Sequence, residues 1–339
     1  MIDAIALLAT AFLLAGYGPR LLTAAAWTGH APRLAVTAWL ALLTAILSGV
    51  IFAGLATTVP MAPVSDGLAG TLQSCVMALR AAYATPGGAL IASIGLVGAG
   101  AIASRAVWCM TMALRRARRH ARTHTDTLTL VGRSDTALGA VVVASDEPSA
   151  YCLPGRTGRI VVTAGALRAL DAEQLAAVLA HERAHQRGHH HLLLALAEAA
   201  GAAFPRVPAF AAARQEIPRL VELLADDAAA SAHGRLTVAE AVLALASART
   251  TTAPSAALAA AGSGAAARVR RMIAQPRPVP PAARLGGSLG AGLLALLPLL
   301  LLTAPALLAA QMAYCTSTQM LTGLAGTAAW LAHPLAACA

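Results

Sequence analysis

The stretch VLAHERAHQRGHHH, residues 178–191, decides how this chain is read. It contains His-Glu-x-x-His. His181 and His185 stand four positions apart, so on a helix both imidazoles leave one face. That spacing lets two ring nitrogens reach one tetrahedral Zn²⁺, with Glu182 placed to act on water rather than to bind the metal. Asp171 followed by Gln174 reads as a capping box for this helix, over about 171–187, and Leu175, Val178 and Leu179 give it an apolar stripe. The plainer alternative is a buried helix with satisfied histidines and a solvated glutamate.

A zinc site needs a third protein ligand and a position left open for water. PRLVELLADDAAASAHG, residues 218–234, can supply it. Pro218 suits a first helical turn and Gly234 a helix end, which puts Glu222 and Asp226 at i and i+4 on one face. Glu222 is expected as third ligand, with Asp226 orienting a ligand histidine. Asp227 lies too far round the helix from Glu222, and Glu216 precedes the proline and the expected helix start. The run His189, His190 and His191 is expected to diverge toward solvent or headgroups, and Arg183 and Arg187 to form a polar face.

Composition supplies the setting. Of 339 residues 58% are hydrophobic and 12% charged, and the mean hydropathy is +0.67. That is more apolar surface than a soluble domain uses, and it indicates a membrane protein. The net charge of +10 does not point to nucleic acid, because the arginines flank apolar runs and aromatics make up only 4%. Leu34–Val59 and Gly286–Ala310 are long enough to span, and Gly87–Ser104 is charge-free with Arg105 at its end. Ala4–Tyr17 spans with its flanks, and Met1-Ile2-Asp3 does not resemble the start of a signal peptide. Four spans is the simplest count.

Arginine placement sets orientation. Arg20 and Arg33 follow the first span, RRARRHAR (115–122) follows the third, and Arg268, Arg270, Arg271, Arg277 and Arg284 precede the fourth. Residues 60–86 carry only Arg80, offset by Asp66. The expectation is a multi-pass protein of the cytoplasmic membrane, its N terminus outside and residues 115–285 cytosolic, with 115–122 meeting anionic headgroups. Residues 1–114 hold three spans, 286–310 a fourth, and 311–339 an external tail, with a fifth span over Leu321–Ala337 as the other reading. Cys75, Cys315 and Cys338 fall outside in this scheme, where a disulfide can persist, and Cys152 is expected as a reduced buried thiol.

Within the block, 126–131, 139–144 and 159–163 read as strands, and 146–158 as a loop. Residues 192–204 read as a helix, Thr237 and Glu240 as a second capping box, 250–282 as linker-like, and 275–282 as extended. The result is an α-helical membrane protein with about four transmembrane helices and an α+β domain between spans three and four.

Three spans, then AYCLPG…RIVVTAGAL…VLAHERAH…VELLADDAA, then another span, resembles the BlaR/MecR-type membrane metallopeptidases. The resemblance runs to about residue 315. It implies a gluzincin-like fold, one zinc per chain, and cleavage of a protein or peptide substrate, with a cytosolic repressor as partner. The chain departs from the type in having no Ser-x-x-Lys sensor motif. HtpX-type and CAAX-type proteases share the zinc logic, but the 36 residues between His185 and Glu222 leave no room for intervening spans.

Zinc held by His181, His185 and Glu222 would serve peptide hydrolysis with Glu182 as general base. The 159–163 strand is a candidate edge for extended substrate, and Arg219 a candidate oxyanion donor. The competing readings are membrane-protein quality control, a non-catalytic metal-binding regulator, and a transporter. The last is disfavoured by the lack of paired repeats.

Overall fold

A computed structural model describes residues 2–58, 76, 77, 80, 83, 84, 86–153, 159–250, 255–275 and 279–303; side chains at 129, 249, 250 and 255–263 are left out of the description. Four helices are long and apolar enough to cross a membrane: α1 Ile2–Ala24, α2 Pro32–Ala56, the hydrophobic part of α3 (Gly88–Val131), and α10 Pro281–Thr303. Each of the four expected spans falls on one of these helices as far as the residues are described. Cys75, Cys315, Cys338 and the whole tail lie outside the described residues.

The chain divides into two interleaved compact units. One contains residues 1–13, 44–103 and 293–339. Its described core brings Ala4 and Leu7 of α1 against Ala53 of α2, with Leu301 and Leu302 of α10 packed on them. Exposed Ile5, Leu8, Leu96, Val97 and Leu296 give its helices the oily outer surface that a bilayer accepts.

The other unit contains residues 14–43 and 104–292. Its sheet has the order β1-β2-β4-β3: β1 Gly132–Asp135, β2 Ala140–Val143, β4 Arg159–Thr163 and β3 Ala150–Leu153. β2 and β4 run parallel in register Val141↔Val161, and the outer strands are antiparallel to their neighbours. Around it lie α4 Ala164–Ala169, α5 Ala172–Arg187, α6 His190–Ala203, α7 Pro208–His233, α8 Arg235–Thr250 and α9 Ser255–Ile273. Alternation along β4 divides its side chains between two cores. Ile160 and Val162 pack on Leu179 of α5, whereas Val161 packs on Leu128 and Leu153. A helical core of Ala177, Ala180, Ala229, Val238, Ala239 and Met272 joins α5, α7, α8 and α9. The alanines allow close helix approach.

Several local expectations are corrected. Residues 126–131 are the last turns of α3 and not a strand, because an uninterrupted helix from Gly88 carries its register through them and buries Leu128. The expected 146–158 loop contains β3. Pro218 does not begin its helix: α7 starts at Pro208, so Pro218 and Glu216 are both interior. Thr237 is likewise inside α8, which begins at Arg235. The linker-like 250–266 is helical from Ser255, and α10 begins within the 275–282 stretch expected to be extended. Arg105, at the end of the third expected span, donates from Nε to the Ala203 carbonyl at 2.6 Å, satisfying the C-terminus of α6.

The connection from β4 into α5 fixes the entry of the motif helix. Thr163 caps α4, its Oγ1 accepting from Ala166 N–H and donating to the Glu147 carbonyl at 2.7 Å. The Asp171–Gln174 capping box then starts α5. Gly165 sits where the chain turns off the sheet, and a β-carbon there would lie 2.1 Å from the Asp146 carbonyl oxygen. Because the obstacle is backbone, Gly165→Ala is expected to destabilise the unit by about 1–3 kcal/mol. Thermal unfolding of the purified protein in detergent measures this; an unchanged midpoint would show that the turn is not tight.

Candidate metal centre

α5 and α7 pack along each other, and their facing turns bring together the expected ligands. His181 Nε2 and His185 Nε2 are 3.1 Å apart. Glu222 places Oε2 3.5 Å from His181 Nε2 and Oε1 3.5 Å from His185 Nε2. A tetrahedral zinc with bonds of about 2.0–2.1 Å needs donors about 3.3 Å from one another. The two imidazole nitrogens stand near that separation, one ligand atom from each of the three side chains lies within 4.8 Å of the others, and among the described residues they form the one His/Cys/Asp/Glu group able to hold a metal ion. The donor set of two imidazoles and a carboxylate also fits zinc in kind. The histidine side chains are only 11% and 12% exposed and Glu222 is 41% exposed, so the group opens on the Glu222 side. A cavity of about 600 Å³ adjoins it there, lined by Glu222, Arg268, Leu223 and Ala267 among others.

The other ring nitrogens are engaged too. His181 Nδ1 is 3.0 Å from Oδ1 of Asp226, a carboxylate with no exposed surface. His185 Nδ1 is 3.0 Å from His190 Nδ1. His190 is thus buried against a site residue, contrary to the expected outward divergence of the histidine run.

Arg268 of α9 completes the cluster. Its Nε donates to Asp226 Oδ2 at 2.8 Å and Nη2 to Asp226 Oδ1 at 2.6 Å, while Nη1 is 3.1 Å from Glu222 Oε2. One turn on, Arg271 pairs with Asp227 at 2.8 Å and donates from Nε to the Gly29 carbonyl. Sequence reading missed Arg268 because it sits in an Ala/Gly/Ser-rich stretch. Arg219 is placed differently from the expectation. Both its Nε and Nη2 donate to Glu216 Oε2, at 2.9 and 2.8 Å, and the cation touching Glu222 is Arg268.

Glu182 is buried beside Cys152 of β3. Burial, reinforced by the charge on Glu222, pushes its carboxyl up to about 7 against the opposing pull of a charged His181. Burial and the neighbouring Glu182 push the Cys152 thiol up to about 12, so it stays protonated, as expected for a structural cysteine. Burial works against charge on His181, but hydrogen bonds to Asp226 and Glu222 outweigh it and raise the imidazole to about 9. Burial and the charge of His181 lower His185 to about 4. Asp226 is held down at about 2 despite its burial, because Arg268 and His181 donate to it.

No curated protein and no solved structure matches the chain. Residues 113–273, a little under half of it, match the family model of Peptidase family M48. The match names that family and not the BlaR/MecR type. The matched segment ends at the last residue of α9 and so contains the motif helix, the Glu222–Asp226 helix and Arg268. The block that carries the three-donor cluster is similar to a metallopeptidase family, in a chain whose four apolar helices suit a membrane.

Proposed function

We propose that this chain is a membrane-embedded, zinc-dependent endopeptidase acting on cytosolic or membrane-proximal protein substrates. The observation that carries the proposal is the convergence of His181, His185 and Glu222 ligand atoms within 4.8 Å of one another, with Glu182 on the motif helix. Zinc in that position supplies Lewis acidity toward a peptide carbonyl and toward water. Glu182 takes a proton from the attacking water on its carboxylate and hands it to the leaving amine nitrogen. A carboxyl titrating near neutrality suits both transfers. Asp226 holds the His181 ring, and Arg268 holds Glu222 and Asp226 in place.

Substrate in extended form would add to β3 rather than to β4 as expected from sequence. β4 has neighbours on both sides, whereas β3 is an edge strand and bears Cys152 beside Glu182. The arginine distribution supports a cytosolic domain and an external N terminus. Cleavage of a transcriptional repressor is the signalling form of this proposal, and turnover of damaged membrane proteins the quality-control form. Comparative proteomics of cells carrying wild type or Glu182→Gln separates them.

Glu182→Gln is expected to retain one zinc per chain and lose about 10²–10⁴-fold in kcat. Full activity in that variant would remove the general base, and a wild-type protein with no zinc by metal analysis would remove the centre.

Zinc uptake is expected to release at least one proton per ion at pH 7. Metal-free His181, raised to about 9, carries a proton that its ligating nitrogen must lose, whereas His185 is already neutral. Affinity therefore falls as pH drops below about 9. Calorimetry in two buffers of different ionisation enthalpy counts the protons; no release would contradict the assignment.

Arg268→Ala leaves Asp226 buried without its strongest partner and is expected to cost about 3–5 kcal/mol of stability. Arg268→Lys restores charge but not the two-pronged contact, and should fall between. Denaturant unfolding of the metal-free proteins gives the order.

A further inference from the structure

The motif helix ends in a way that its own periodicity would not produce. Five residues past His185, a continued helix would carry His190 about 140° around from it. Instead α5 stops at Arg187, Gly188 follows, and His189 adopts φ +48° before α6 begins at His190. His189 is the one non-glycine residue with positive φ among the described residues. That conformation is unfavourable for a side-chain-bearing residue and persists where surrounding contacts fix it. Here its effect is to fold the His190 ring back onto His185, edge-on at 85° with centroids 4.8 Å apart. Gly188 makes the space. A β-carbon at 188 would lie 2.4 Å from His190 Nε2 and 2.6 Å from its Cδ2. The φ of −78° at Gly188 is one that any residue accepts, so glycine is needed there for room and not for conformation.

We infer that His190 is a positioning residue for the metal centre, its Nδ1 accepting the Nδ1–H of His185 and so fixing which nitrogen of His185 faces Glu222. The inference rests on the zinc reading above. If His185 ligates through Nε2, its proton must sit on Nδ1. The atom 3.0 Å away, His190 Nδ1, must then present a lone pair, which puts the His190 proton on Nε2. His190 thereby does for His185 what Asp226 does for His181, with a neutral acceptor in place of a carboxylate. The two ligands are held from different elements, one by α7 and one by the first residue of α6.

The test is zinc affinity of the full-length protein, measured by competition with a chromophoric chelator, for wild type, His190→Asn, His190→Leu and Gly188→Ala. His190→Leu, which keeps an apolar filling but no acceptor, is expected to weaken zinc binding about 10–100-fold. His190→Asn can place Oδ1 where Nδ1 lies and should bind close to wild type. Gly188→Ala, which drives the ring off His185, should lose affinity as His190→Leu does. Thermal unfolding of the metal-free proteins separates this loss from a general loss of packing. Wild-type affinity in His190→Leu, or His190→Asn as weak as His190→Leu, overturns the inference. If His190→Leu does not fold, Gly188→Ala against His190→Asn makes the same comparison, and equal weakness overturns it. A wild type that binds no zinc instead overturns the zinc reading itself.

Discussion

The buried carboxylate of Asp226 is the group on which the rest of the centre depends. It has no exposed surface, and its charge is balanced by Arg268 on one side and the His181 ring on the other. An ionised carboxylate in such a place is tolerated only with full pairing. That requirement links three helices: α5 through His181, α7 through Asp226 itself, and α9 through Arg268. Each partner loses its charge balance if another leaves. The donor geometry on α5 and α7 is in this sense a consequence of neutralising Asp226.

The same linkage explains why α9 belongs to the domain despite its composition. Met272 enters the helical core with Ala177, Ala229 and Ala239. Arg271 reaches both Asp227 and the Gly29 carbonyl in the turn after α1. Arg235 of α8 donates to the carbonyls of Met272 and Ala274, satisfying the end of α9. Small residues set the close approach, and arginines fix the registration.

The chemistry-bearing residues were legible because their spacing is dictated by helix geometry. His181 and His185 could be placed on one face, with Glu182 between them, without knowing any tertiary contact, and Glu222 could be placed with Asp226 in the same way. The capping box at Asp171 and the apolar run 159–163 were local signals of the same kind. What could not be read was set by partners distant in sequence. The 126–131 segment has β-branched residues, yet helix continuity decided its state. Residues 255–273 look like a linker until Asp226 and Asp227 supply partners for their arginines. His190 looked like one of three divergent histidines, because a helical projection does not foresee a left-handed residue at His189. Pro218 reads as a helix start because nothing local distinguishes a first-turn proline from one tolerated inside a longer helix.

A metal bound for structural purposes alone would give a different balance at Glu182. Burial has raised that carboxyl from 4.5 to about 7, which corresponds to about 3 kcal/mol disfavouring its charged form. The charged His181 opposes this shift, and Arg268 interacts with the Glu182 charge as well as holding Asp226 and Glu222, yet burial outweighs both. An apolar side chain at position 182 would remove the penalty and leave the three donors untouched, so ligand geometry gives no reason for the glutamate. The proposed hydrolysis gives that cost a use, because it needs a group beside the metal position that accepts and returns a proton near neutral pH. The glutamate shares the motif helix with both imidazoles and borders the edge strand β3, where an extended peptide can lie. A purely structural metal centre gives this residue no role, whereas the proposed hydrolase gives it one.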